Sequence, residues 1–112
     1  MQYRQITEDY SVSPQISVDD VKLIKEAGFK SVICNRPDNE DPGQPGHDEI
    51  QKAAEAAGLT FRWVPVISGQ MTAQNVEDQA AALEDLPAPV FAYCRSGTRC
   101  TNLYAAIQQM KG

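Results

Sequence analysis

Val90-Phe91-Ala92-Tyr93-Cys94-Arg95-Ser96-Gly97-Thr98-Arg99 runs from an apolar segment through a cysteine and a short polar loop into a helical pattern. Residues 89–93 read as a buried strand, apolar and aromatic, bounded upstream by the Pro87-Ala88-Pro89 breaker. Beyond the loop, Leu103, Ala106, Ile107 and Met110 recur at helical spacing, with Thr98 the expected N-cap. Cys94 therefore stands where a strand empties toward a helix, the place where ligands collect in open α/β sheets. The backbone N–H groups of Arg95, Ser96, Gly97 and Thr98, with those of the helix's first turn, would form an anion-binding nest. With Arg95 and Arg99 beside it, such a nest lowers a cysteine pKa from about 8.5 into the range of roughly 3.5–7.5, and the thiolate dominates at neutral pH. A strand-end cysteine is also a common core residue. Two arginines and a glycine within five residues argue for the nucleophile.

Outward from this loop the chain alternates strand and helix. Residues 3–6 and 10–12 predict a short pair of strands. Ser17 followed by Asp20 resembles a capping box, and Val18, Val21, Leu23, Ile24 and Ala27 give a helix closed by Gly28. Residues 29–34 predict a second buried strand, which empties into a loop over 35–45 too rich in proline and acid to be regular. A helix over 48–57, a strand over 60–66, a turn over 68–71 and a helix over 73–86 capped by Thr72 complete the order. The expectation is an α/β fold: a central, mainly parallel sheet of four to five strands with helices on both faces. It brings the loops 35–45, 67–71 and 94–98 to one sheet edge.

At 112 residues the chain is expected to form one domain over 1–112. It has no apolar run of the ~20 residues that cross a bilayer and no basic-then-apolar amino terminus, so a cytoplasmic protein without membrane contact is expected. Three cysteines, an odd number, argue for reduced thiols. His47 is the only histidine, and Cys34, Cys94 and Cys100 lack paired metal-ligand spacing, so neither a metal nor a cofactor is expected. A net charge of −5 argues against nucleic acid.

The Cys94 loop, the Asn35-Arg36-Pro37-Asp38-Asn39-Glu40 loop and Gln44-Pro45 together resemble the phosphatase-like domain of bacterial beta-lactamase-hydrolase-like proteins, a family also described as sulfur transferases. The resemblance extends from Gln15-Ile16 to the last helix. It implies a tyrosine-phosphatase-like fold akin to the dual-specificity enzymes. It also implies occurrence alone or with a persulfide dioxygenase domain, in fusion or in trans, and phosphoryl or sulfur chemistry. The family pattern usually has serine after the loop arginine, where this chain has Cys100.

Loop length discriminates between the two chemistries. Tyrosine phosphatases resemble one another in placing five residues between nucleophile and arginine, whereas here four intervene, a spacing similar to that of rhodaneses. The preferred expectation is therefore a rhodanese-like sulfurtransferase. Cys94 would take sulfane sulfur from a small anionic donor, such as thiosulfate or a persulfide, and pass it to a thiol acceptor. The alternatives are a tyrosine- or dual-specificity-like phosphatase working through a phosphocysteine, and a redox-sensing anion-binding module. Arg99 would clamp the anion, and Arg95, Ser96, Gly97, Thr98 and Arg36 would add to its site. Asp38, with Glu40 as a second choice, is the candidate general acid in the phosphatase case, against the reading of both as solvated turn acids. Arg36 serves equally as a partner of Asp38 or Glu40. Cys100 is a candidate resolving thiol or a small core residue. Cys34, Trp63 and Tyr93 are expected to pack, and His47 to cap a helix or lie on the surface.

Overall fold

The computed structural model describes residues 1–111. Its elements are β1 (Arg4–Thr7), β2 (Tyr10–Ser13), α1 (Asp20–Glu26), β3 (Ser31–Cys34), α2 (His47–Ala56), β4 (Thr60–Trp63), α3 (Ala73–Asp85), β5 (Val90–Tyr93) and α4 (Thr98–Lys111). The five strands form one sheet in the order β1-β2-β5-β3-β4. Only β1 is antiparallel to its neighbour.

Strands β3 and β5 are buried along their whole length, as continuous apolar runs inside a two-faced parallel sheet should be. Their pleat divides the core. Val32, Cys34, Phe61, Phe91 and Tyr93 pack against Val21 and Ile24 of α1 and Ile50 and Ala54 of α2. Ile33, Val90 and Ala92 pack with Cys94 and Cys100 against Ala82 and Leu86 from the side of α3. Because β5 is inserted between β2 and β3, Tyr93 registers with both Ser13 and Cys34, and Cys34 with Trp63. The carboxyl ends of four strands therefore come level, and the loops after β3, β4 and β5 share one rim.

Several boundaries differ from those expected. The strand expected over 29–34 begins at Ser31, and the one expected over 60–66 stops at Trp63. Pro65 has no N–H to continue a ladder, although Val64 and Val66 still donate to the carbonyls of Cys34 and Asn35. Ser17 and Asp20 do make the reciprocal bonds of a capping box, at 2.9 and 3.3 Å, yet α1 starts at Asp20. The reason is an i→i+3 turn, in which Val21 N–H donates to Val18, that intervenes before the α-helix. Thr72 caps α3 as expected, in a reciprocal pair with Asn75. Thr98 is the first residue of α4 rather than its cap, since Gly97 supplies the carbonyl that accepts the first helical bond, from Thr101.

Candidate active site

Cys94 follows β5 directly, and the loop wraps back around its sulfur. The Gly97 N–H donates to Cys94 Sγ at 3.0 Å. That geometry needs φ of +88° at residue 97, a left-handed conformation that glycine adopts without strain. The side chain of Cys94 is wholly enclosed. Its pKa is held down to about 5, first by the Cys100 thiol, which donates to it, and further by backbone N–H groups of Cys100, Ser96 and Arg99, against the opposing effect of burial. The leading causes are thus hydrogen bonds of the nest and of a neighbouring thiol, more than the two arginines. Cys100 is itself pushed up by burial and by that contact, so the pair is a thiolate with a neutral thiol.

The arginines are neutralised locally. Arg99, 8% exposed, donates from Nη1 to Glu40 Oε2 at 2.8 Å and from Nη2 to Glu40 Oε1 at 2.9 Å, and its Nη1 also reaches the Val66 carbonyl at 2.9 Å. Arg36 donates from Nε to the same Glu40 at 2.8 Å, to Asp41 at 2.6 Å and to Gln15 at 2.9 Å. Arg36 therefore orders the acidic loop and pairs with Glu40 and Asp41, not Asp38. Arg95 lies outward and exposed, with Nε 3.1 Å from Asp41. The exposed hydroxyls of Ser96 and Thr98 bond each other. Gly97 is thus bonded to the Cys94 sulfur and Arg99 is buried against Glu40, whereas Arg95, Ser96 and Thr98 offer their side chains to the rim.

Asp38 is not placed as a proton donor. Its carboxylate accepts from the His47 backbone at 2.9 Å and pairs with His47 Nδ1 at 2.7 Å, capping α2. Partial burial pulls its pKa upward, but the bonds from His47 outweigh this and leave it below the usual value, so it is ionised at neutral pH. Glu40 is likewise held low, chiefly by Arg99. His47 stacks on Trp63 at 3.6 Å, and Trp63 donates to the Arg36 carbonyl at 3.0 Å. Cys34 is a core thiol raised to about 11 by burial. Among the described residues no cluster of metal-ligating side chains occurs, and no helix is long and apolar enough to cross a membrane.

One buried polar chain escaped the sequence reading. Asn35 donates to the Val64 carbonyl and to Gln79, Gln79 donates to the Tyr10 hydroxyl, and that hydroxyl donates to the Cys100 carbonyl at 2.8 Å. It ties α3, β2 and the loop after β3 to the backbone beside the nucleophile. The visible signal was a glutamine on the apolar face of α3, in line with Val76, Ala82 and Leu86.

Solved structures share this arrangement. A Neisseria meningitidis protein solved as a candidate phosphatase superposes with a TM-score of 0.89 at 35% identity, over 97% of this chain and 78% of that one. The core catalytic domain of the yeast PP-IP phosphatase Siw14 superposes at 0.73 with 13% identity, over 96% of this chain and 64% of that one, a likeness of fold alone. Beta-lactamase hydrolase-like proteins of Agrobacterium fabrum and Xylella fastidiosa are 34% and 36% identical over 96% and 100% of this chain. The chain spans only 25% and 26% of their lengths. These likenesses favour the phosphatase alternative and lend no support to the sulfur transfer expected from loop length. Residues 2–111 match the model of the phosphatase-like domain of beta-lactamase hydrolase-like proteins, and the chain belongs to that family.

Proposed function

We propose that the chain is a thiolate-dependent phosphatase that forms a phosphocysteine at Cys94. The observation that carries this reading is the part of Arg99 left unused. Glu40 and Val66 take three of the five guanidinium hydrogens, leaving Nε–H and one Nη2 hydrogen without a partner among the described residues. These two lie along one edge of the planar fork, the geometry that pairs bidentately with two oxygens of a phosphoryl group. A clamp for an oxyanion and a nucleophile already ionised thus stand on one loop.

In the first step the Cys94 thiolate attacks phosphorus, an S–P bond forms, and the bond to the ester oxygen breaks with its electrons leaving on that oxygen. Water then attacks phosphorus, the S–P bond breaks, and phosphate and the thiolate are released. Asp38 and Glu40 are both held ionised, by bonds from His47 and from Arg99 respectively, and supply no proton to the leaving oxygen. Acidic leaving groups, such as phenols, are therefore favoured over alkyl alcohols. Arg36, Arg95 and Arg99 share the two carboxylates of Glu40 and Asp41, which leaves one positive charge among them, too little for a polyphosphorylated substrate. A cleft of about 360 Å³ beside Arg99, lined by Val66, Ile67, Gly69, Met71 and Asn102, offers room for an apolar substituent.

A second reading, sulfur transfer, is favoured by the four-residue loop, whose small ring of N–H groups closes on one sulfur atom. One experiment separates the two. Acid-quenched protein is mass-mapped after p-nitrophenyl phosphate and, separately, after thiosulfate. A phosphoryl adduct on Cys94 with phenol release supports the proposal. A gain of one sulfur without phosphate turnover overturns it in favour of the second reading.

A further inference from the structure

Cys100 is a buried nucleophilic side chain that neither chemistry uses. It is wholly enclosed on α4, in the same apolar cluster as Cys94. The Tyr10 hydroxyl fixes the Cys100 carbonyl from the opposite side. Cys34 is also buried but lies on the other face of the sheet, among the side chains of α1 and α2. Of the two other thiols, one therefore shares the cluster of Cys94 and the other is separated from it by β3 and β5. All three are reduced in this structure.

We propose that Cys94 and Cys100 form a reversible disulfide under hydroperoxides, so that the active-site loop carries its own modification site and is protected from irreversible oxidation. The thiolate sulfur of Cys94 attacks the peroxide, the O–O bond breaks, hydroxide leaves, and Cys94 becomes a sulfenic acid. The Cys100 sulfur then attacks the Cys94 sulfur, the S–O bond breaks, and water departs with the thiol proton. The thiolate–thiol pair loses two electrons and one proton, and the peroxide is reduced to one water and one hydroxide, which takes a proton from solvent. A dithiol reductant reverses the bond through a mixed disulfide. One feature suits the second step: both thiols lie in one buried cluster, so the resolving reaction is intramolecular and local. While the disulfide stands, Cys94 has no thiolate to offer, whatever anion the site takes.

The sequence makes the test direct. Cleavage after Arg62, Arg95, Arg99 and Lys111 places Cys94 in the peptide 63–95 and Cys100 in the peptide 100–111. The whole chain is treated with graded hydrogen peroxide, unreacted thiols are alkylated after unfolding, and the peptides are mass-mapped without reductant. The expected result is a crosslink of 63–95 to 100–111, with the chain lighter by two hydrogens and full reversal by dithiothreitol. Cys34→Ser should crosslink as the natural chain does. Cys100→Ser, which keeps a hydrogen-bond donor beside the sulfur, should instead accumulate Cys94 with two or three added oxygens that dithiothreitol does not remove. Over-oxidised Cys94 beside an alkylatable Cys100 in the natural chain would overturn the proposal. So would a Cys34–Cys94 crosslink, or failure of peroxide to modify either thiol of the pair.

Discussion

Arg99 and Glu40 meet end to end, both terminal nitrogens of the guanidinium on both oxygens of the carboxylate, at 2.8 and 2.9 Å. Arg36 holds the same carboxylate from Nε at 2.8 Å, so Glu40 bridges two buried cations. The bridge sets the plane of the Arg99 fork and decides which edge remains for a ligand. On the proposed phosphatase reading, Glu40 is thereby a positioning residue rather than a proton donor.

Glu40→Gln keeps the shape but loses the charge and one paired oxygen. We expect turnover of p-nitrophenyl phosphate to fall by about 10²-fold, as misplacement of a reacting group does. The Michaelis constant should change far less, and the affinity for inorganic phosphate should become less sensitive to Arg36→Lys. An unchanged turnover number would show that the Arg99 fork is held without Glu40.

Arg99→Lys is expected to be nearly as damaging as Arg99→Ala. An ammonium cannot hold Glu40, reach the Val66 carbonyl and still present a two-donor edge. Loss of a charge-assisted contact to the transferring group should cost on the order of 10²–10³ in turnover. Steady-state rates of the two variants decide this, with retention of most activity in the lysine variant as the contrary result.

Cys94 should titrate near 5 and Cys34 near 11, so thiolate ultraviolet absorbance followed against pH should show one step near 5 that Cys94→Ser removes. The sign for stability follows. The folded pKa lies below the ordinary thiol value of 9.0, so between the two the unfolded chain binds the extra proton. Stability relative to Cys94→Ser should rise with pH from about 5 to 9 and be lost as pH falls through 5. Denaturation midpoints of the two proteins across that interval check it, and parallel curves would show that the nest does not favour the thiolate.

The fold and the place of Cys94 at a strand end were legible because each rests on short-range pattern. Apolar runs, Gly28 and Gly58 after helices, and the breaker at Pro87 and Pro89 mark the elements. The Cys94 loop announces itself by composition. What the sequence hid was pairing at long range. The loop over 35–45 offered Asp38 and then Glu40 as the acid, and only the folded rim gives Glu40 to Arg99, Asp41 to Arg36 and Arg95, and Asp38 to His47. Pattern likewise predicted the thiolate for a partly mistaken reason, since Cys100, not an arginine, is its foremost support.

Asp38→Asn tests that redistribution. A general acid would lose about 10²–10⁴ in rate on this change. Asp38, ionised and committed to His47, should lose less than about tenfold on aryl phosphates while the protein loses on the order of 1 kcal/mol with the cap of α2. A loss of general-acid size, confined to substrates with poor leaving groups, would restore Asp38 to the chemistry.

The buried chain from Asn35 through Gln79 and Tyr10 to the Cys100 carbonyl makes the last prediction. Gln79 is fully buried and uses its amide in three bonds, accepting from Asn35 Nδ2 at 2.8 Å and donating to Asn35 Oδ1 and to the Tyr10 hydroxyl at 3.2 Å. Gln79→Met preserves volume but strands polar groups on both neighbours, each at a cost of about 1–3 kcal/mol. Tyr10→Phe removes two bonds, to the Cys100 carbonyl and from Gln79, and should cost about 1–3 kcal/mol. Since Cys100 presents both its thiol and its N–H to Cys94, loosening its backbone should also move the Cys94 thiolate step toward higher pH. Chemical denaturation and the thiolate titration report the two effects separately. A stability loss with an unmoved titration would confine the chain to structural support, whereas a shift in both variants would make it part of what activates the nucleophile.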